Sequence, residues 1–275
     1  MTALVAIASQ EIRAGVRNRW VAATTLALAA LALSLVLLGS TPIGTVGASP
    51  LAVTVVSLAS LTIFLLPLIA LLLSFDAIVG EAERGTLLLL LACPVARWQV
   101  VVGKFLGHAA ILALATFLGY GAAGVLLYLT GAADGEAWGA FAALIGTSIL
   151  LGAAFVALGS LASIGVRERP TAAGLAVAAW LFFVLLYDAA LLGLLVIDQG
   201  KTVTSGLLNV LLLFNPADVY RLINLTGHDA AALLAGMSAP GAAGQIAVGT
   251  LYGALLVWIA VPLVVGVTIF NRRRP

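Results

Sequence analysis

The chain has 275 residues, of which 63% are hydrophobic and 9% are charged, with a net charge of +2 and a mean hydropathy of +1.20. Because soluble domains are about 45–50% apolar, this composition excludes an ordinary soluble protein, and the single cysteine, Cys93, excludes an internal disulfide bond. The uncharged runs can cross a hydrocarbon core of about 30 Å as helices, and they lack the alternation of membrane β-strands. We therefore predict an all-α integral membrane protein.

Residues 1–19 form the first predicted element, a helix that lies in the membrane interface. Val5 and Val16 would share one side of this helix, whereas Arg13 and Arg17 would share another. An apolar face beside a basic face is typical of helices that lie along a bilayer surface. No small-residue cleavage site follows, so we expect this segment to be retained.

Six long apolar stretches follow, and each is predicted to be a membrane-spanning helix. Of the 13 Lys and Arg residues, all except Lys201 and Arg221 fall in inner segments if the N-terminus lies inside. Because Lys and Arg are enriched in cytoplasmic connections, we predict that both termini are cytoplasmic. The predicted spans cover residues 20–39, 51–75, 105–130, 138–165, 171–197 and 244–270.

The connection between the second and third spans, residues 76–104, holds an unusual concentration of charge. Its apolar part, residues 87–93, is too short to span a membrane and ends at Pro94, which disfavours helix in the residue before it. We predict two short helices with a bend, the first starting near Glu81 and Glu83 and the second continuing as the third span. This connection, whose second helix carries Arg97 and Lys104, is either a solvated loop or a rigid helical hairpin that presents charges to a soluble partner.

The sequence pattern of this connection resembles a known family. The stretches GEAERGTL at 80–87, PVAR at 94–97 and GKF at 103–105 are similar to the cytoplasmic element that follows the second span of ABC-2 type permeases. These permeases are the membrane subunits of ABC exporters with six spans and short loops. The resemblance covers the whole chain, and residues 53–81 and 94–115 are most similar to permeases of systems that mature the copper centre of nitrous oxide reductase.

The resemblance implies a homodimer in the bacterial inner membrane that works with a cytoplasmic dimer of a separate ATPase subunit. ATP and magnesium would be bound by that ATPase, so this chain would need no cofactor or metal and would have no catalytic residue. The cargo is not named by the sequence, and a sulfur species destined for the copper site is one candidate. The residues expected to couple to the ATPase are Glu81, Glu83, Arg84, Gly85, Thr86, Pro94, Arg97, Arg167, Glu168 and Arg169.

Two further sets of residues are candidates on the outer side. Asp188 is the one charge well inside a predicted span, where a carboxylate either lines a pathway or gate near Tyr187, or is neutral or paired near the outer end. Residues 198–243 form a predicted periplasmic segment with an Asn-Pro pair. The resemblance implies that this segment meets a periplasmic partner protein through Asn215, Pro216, Asp218 and Arg221.

Other functions have weaker support in the sequence. The stretch DQGKT at 198–202 lacks the earlier glycine and the strand of a phosphate-binding loop. The two histidines, His108 and His228, lie on different segments, so we expect no copper path in this chain and interpret His108 as a packed or interfacial residue. We expect no nucleic-acid partner. An ATP-independent secondary transporter is the alternative function, although charges inside the spans are scarce, and an intramembrane enzyme comes third.

Overall fold

The computed structural model describes residues 3–17, 19–39, 50–129, 137–198, 203–225 and 246–272, and every regular element in these ranges is a helix. This confirms the predicted all-α fold. In chain order the helices are α1 (Ala3–Val16), α2 (Arg19–Gly39), α3 (Pro50–Ser74), α4 (Val79–Glu83), α5 (Thr86–Ala92), α6 (Arg97–Leu129), α7 (Ala137–Gly165), α8 (Arg169–Leu181), a π-helical turn (Phe182–Leu186), α9 (Tyr187–Asp198), α10 (Ser205–Leu213), α11 (Pro216–Leu225) and α12 (Val248–Arg272).

The described residues contain five helical stretches that are long and apolar enough to cross a membrane. Two bent helix pairs, α1 with α2 and α10 with α11, raise the number of candidate spans to seven if each pair is counted as one span. The six predicted spans fall within this range, and the predicted orientation of the termini stays a prediction. Much of the predicted outer segment, residues 199–202 and 226–243, lies outside the described residues, as do the connections at 40–49 and 130–136.

Helix α7 lies at the centre of the bundle and packs on α3, α6 and α12. Its middle, residues 151–157, is buried throughout and is rich in Gly and Ala, so that neighbouring helices can approach closely. Leu144 and Phe155 of α7 are fully buried in the same core cluster as Leu66 of α3 and Leu112 of α6. Close packing of this kind fixes the helices around α7, because helices in lipid gain little from the hydrophobic effect alone.

The fifth predicted span, formed by α8, the π-helical turn and α9, lies at the edge of the bundle. Only 6% of its most apolar stretch is buried, compared with 61% for α7. Large apolar side chains such as Leu186, Leu192 and Ile197 are exposed along it. The fifth span is therefore held to the rest of the chain at a small number of contacts.

Helix α1 packs along the beginning of α6. Ile7 and Gly15 are buried in this contact, and a Cβ atom at Gly107 would collide with Glu11 Cβ and lie 3.2 Å from the carbonyl oxygen of Ala8. Val5 and Val16, which were predicted to face the membrane, are exposed in the described chain. The structure thus adds a third face to the predicted interfacial helix, one that contacts α6.

This close approach leads to a prediction about Gly107. Replacing Gly107 by alanine should push α1 away from α6 and lower the melting temperature in detergent, because overpacking a close contact costs about 1–3 kcal/mol. Gly121→Ala is the matched control, since a Cβ atom there meets nothing within 4 Å and alanine is the better helix former. Equal melting temperatures for the two variants would contradict the observed packing of α1.

Candidate functional site

The segment between α3 and α6 forms a bent tip at one end of the bundle. A turn at residues 75–78 leads into α4, and Gly85 then adopts a left-handed conformation with φ of 74° before α5 begins. Helix α5 ends before Pro94, as predicted, and α6 begins at Arg97. The prediction of one continuous first helix was wrong, because Gly85 divides it into α4 and α5. Only glycine takes this conformation without strain.

The start of α4 is fixed to α7 and to the turn before it. Ser163 Oγ accepts hydrogen bonds from the backbone N–H groups of Ile78 and Val79, each at 3.0 Å, which satisfies two donors at the start of a helix. A Cβ atom at Gly80 would collide with the Asp76 carboxylate, so a side chain at this position would displace Asp76 from Arg169. The tip is therefore attached rigidly at its base.

Ion pairs connect this tip to the beginning of α8, which is the second predicted inner connection. Asp76 Oδ1 lies 2.7 Å from Arg169 Nε, and Arg84 approaches the same carboxylate at 3.8 Å. Glu83 Oε1 also accepts a hydrogen bond from the backbone N–H of Arg169 at 2.8 Å. These contacts show that the two segments expected to meet an ATPase contact each other within one chain.

Lys104 is at the centre of a second charged group on the same side. Its side chain is 4% exposed. Its ammonium group donates one hydrogen bond to Glu11 Oε1 of α1 and a second, of 2.7 Å, to Glu81 Oε1 of α4. His108, one turn further along α6, donates from Nδ1 to the carbonyl oxygen of Lys104 at 2.9 Å, and its Nε2 lies 3.9 Å from Glu11 Oε2. The charge of Lys104 is therefore used inside the chain.

Sequence reasoning missed Glu11, although a signal was present. Glu11 is the only acidic residue among the first 75. A single carboxylate on an otherwise basic segment indicates a specific cationic partner. It lies one helical turn from Ile7 and from Gly15, on the face of α1 that packs on α6. His108 is packed in this group, as predicted, whereas His228 and Lys201 lie outside the described residues.

The surface of the tip is both apolar and charged. Leu88 is 59% exposed and Leu89 is 71% exposed. Adjacent exposed apolar side chains of this kind commonly mark an interaction surface. Arg97 instead turns inward, donating to the carbonyl of Phe270 at 3.0 Å. Glu81 is partly buried through its contact with Lys104. The remaining predicted coupling residues are exposed, and these are Glu83, Arg84, Gly85, Thr86, Pro94, Arg167, Glu168 and Arg169.

At the opposite end of the bundle, polar contacts join the fifth span to α11. Arg221 of α11 pairs with Asp188 at 2.7 Å and with Asp218 at 2.6 Å. Asn215 caps α11 by accepting from the N–H of Ala217, and its amide also donates to the carbonyl of Phe183 in the π-helical turn at 2.9 Å. We call Phe183, Asp188, Asn215, Asp218 and Arg221 the outer latch, because they lie at the end of the bundle that is predicted to face outward.

The outer latch determines where the predicted outer residues lie. Asp188 is paired with Arg221, which agrees with the second of its two interpretations, and its role in a pathway stays a prediction. Tyr187 donates a hydrogen bond to the carbonyl of Leu211 at 2.7 Å and so contacts α10. Asn215 and Asp218 have buried side chains that bond within the chain, so their predicted contact with a periplasmic partner also stays a prediction.

Polar side chains inside the bundle are paired across helices. Thr62 and Tyr120 share a hydrogen bond of 2.6 Å, and Ser148 and Tyr220 share one of 3.0 Å. The first pair joins α3 to α6, and the second joins α11 to the central helix α7. Within the described ranges, no three His, Cys, Asp or Glu side chains lie close enough together to hold a metal ion.

Known membrane transport proteins resemble this chain over nearly its whole length. The sequence pattern of the family described as ABC-2 family transporter protein matches residues 5–274. A protein of Stutzerimonas stutzeri named "Probable ABC transporter permease protein NosY" is 45% identical over 269 residues, which cover 97% of each chain. The protein of the same name from Pseudomonas aeruginosa is 48% identical over 271 residues, again covering 97% of each chain.

The outer latch provides the next prediction. Arg221→Met should lower the melting temperature in detergent, because it leaves the buried Asp218 carboxylate without its cation, which costs about 1–3 kcal/mol. Adding Asp218→Asn to this variant should recover part of the loss, since the unpaired charge is then removed. If Arg221→Met melts at the wild-type temperature, the ion pairs contribute nothing to holding α11.

Proposed function

The chain belongs to the ABC-2 family of transporter proteins, and from this premise we propose that it couples ATP hydrolysis by a separate ATPase subunit to export across the membrane. It is a multi-pass permease of the inner membrane. The observation that best supports coupling is the bent tip of α4 and α5, which has an exposed surface and a base bonded to α7 and α8.

The exposed part of the tip is suited to docking on a soluble protein. Leu88 and Leu89 offer an apolar patch, and Glu83 and Arg84 lie beside it in exposed positions. Protein interfaces commonly combine an apolar centre that becomes buried with a charged rim that fixes orientation. Exposed leucines at the end of a helical hairpin therefore support a partner that covers them.

A docked ATPase could move the bundle through contacts that are already present. A change in the position of α4 would reach α7 through the bonds to Ser163 and would reach α8 through Asp76 and Arg169. Because α8 begins the lightly packed fifth span, the movement would continue along that span to the outer latch. We infer that two such chains act as a homodimer on an ATPase dimer, so that closure of the ATPases opens a route between the permeases.

The finer proposal concerns the process that this exporter serves. On the basis of its similarity to the two NosY proteins, we infer that the chain acts in a NosDFY-type system that matures the copper centre of nitrous oxide reductase. Its partners would then be a NosF-like ATPase in the cytoplasm and a NosD-like protein in the periplasm. The cargo is unidentified, and a sulfur species for the copper site is the candidate that we favour.

Docking on the tip is tested by co-purification with the ATPase encoded beside this reading frame. The double variant Glu83→Lys, Leu89→Glu should reduce ATPase binding at least tenfold, because losing a central interface side chain costs about 2 kcal/mol or more. Arg272→Glu, an exposed charge reversal at the end of α12, should bind as the wild type does. Unchanged binding of the double variant would show that the ATPase docks elsewhere.

Transport itself separates the proposal from the alternative function. In proteoliposomes that contain the chain and the ATPase, export should require ATP and magnesium and stop when the ATPase is omitted. An ATP-independent secondary transporter would instead move its cargo without the ATPase, driven by an ion gradient.

The finer proposal is tested in a nitrous oxide-reducing host that lacks its own NosY. The chain should restore copper to purified nitrous oxide reductase, whereas the Glu83→Lys, Leu89→Glu variant should not, because its ATPase cannot dock. Restoration by the docking variant would argue that maturation does not depend on ATP coupling through the tip. No restoration by the wild type, despite ATPase binding, would contradict the finer proposal alone.

A further inference from the structure

A buried lysine joins three elements that lie far apart in the sequence. Lys104 of α6 donates to Glu11 of α1 and to Glu81 of α4, which are 93 and 23 positions away. Its side chain is almost completely buried, so the pair interactions lie in surroundings of low dielectric constant. Separating such charges is costly, because an ion left alone there does not regain its full hydration. The lysine therefore holds α1, α4 and α6 at fixed distances from one another.

Cavities lie on both sides of the ion pairs that Lys104 makes with Glu11 and Glu81. One cavity of about 210 Å³ is lined by Gly15, Asp76, Lys104 and their neighbours, and a second of about 290 Å³ is lined by Ile7, Leu90, Lys104 and others. The backbone of α4 packs on α5 and α8, and α1 packs mainly on α6. Lys104 and its two carboxylate partners, Glu11 and Glu81, bridge α1 and α4 between these cavities.

We propose that Lys104 is a positioning residue for coupling, which makes α1 and α4 move as one unit when the docked ATPase changes shape. The inference rests on the proposed function and adds the N-terminal helix to the coupling machinery. Because α1 packs closely on α6 at Gly107, a displacement of the tip is passed to α6 through both contacts. Two carboxylates share one lysine, so removing Lys104 would leave two negative charges facing each other.

The test measures the distance between α1 and α4 in the full chain. Spin labels would be placed at Gln10 and Ala82, both exposed, after Cys93→Ser removes the native thiol. In the chain alone, the wild type and Lys104→Arg should give one narrow distance distribution, whereas Lys104→Met should at least double its width. Glu11→Gln should also broaden the distribution. It leaves the ion pair between Lys104 and Glu81 intact, with no net charge. This variant therefore keeps the test usable if Lys104→Met does not fold.

The matched control is Thr116→Val in the same helix. The Thr116 hydroxyl is buried and has no hydrogen-bond partner among the described residues, so this variant should behave as the wild type does. Widths for Lys104→Met and Glu11→Gln equal to that of the wild type would overturn the proposal, because α1 and α4 would then be held together by something else.

A second measurement adds the ATPase and ATP. In the wild-type complex, the distance from α1 to α4 should be the same before and after ATP binding, because the two helices move together. In Lys104→Met the ATPase should still dock and hydrolyse ATP, but the mean distance should shift on ATP binding. A constant distance in Lys104→Met would overturn the proposal. Failure of the wild-type chain to bind the ATPase would instead contradict the proposed function, and the measurement on the chain alone would still decide whether Lys104 joins the helices.

Discussion

A polar group inside hydrocarbon must find its partner within the protein, and this constraint explains several of the hydrogen bonds between distant helices. Pro67 removes a helical N–H in α3, and Trp180 of the fifth span donates at 2.9 Å to the carbonyl of Phe64 beside that break. The π-helical turn disturbs the regular ladder of the fifth span, and there Asn215 donates to the carbonyl of Phe183. At both of these interruptions, a side chain of a neighbouring element bonds to the backbone of the interrupted helix.

The same constraint distributes the charges to the two ends of the bundle. At one end, Arg169 joins the tip to the fifth span and Lys104 joins the tip to α1. At the other end, Arg221 joins α11 to the fifth span. Each of these basic residues contacts two acidic residues. Lys104 thereby joins three helices, whereas Arg169 and Arg221 each join two elements. Charges that a composition count treats as topology signals are therefore also the contacts that connect the parts of the bundle.

The sequence predicts the helices well because lipid leaves so few alternatives for an uncharged stretch of twenty or more residues. It does not predict the break at Gly85, because a glycine that takes a left-handed conformation looks in sequence like any other glycine. It also does not predict the burial of Lys104, which depends on Glu11 and therefore on how α1 packs against α6. For Asp188 the sequence leaves two interpretations open, because the partner that pairs with it, Arg221, is 33 positions away. Local patterns give the elements, whereas contacts between distant residues decide how the charges are used.

The contrast between packing and polar contact indicates which parts of the chain can move. Helix α7 is held by buried side chains on several sides, and displacing it would open cavities in a close-packed core. The fifth span is mostly exposed, and contact with lipid replaces contact with helices at little cost. It is held by a few buried side chains, such as Ala176 and Val184, and by polar contacts at Arg169, Trp180, Phe183 and Asp188. A small number of directional contacts can be exchanged for another set without disturbing a core. The fifth span is therefore the element best able to carry a displacement from the tip to the outer latch while α7 stays in place.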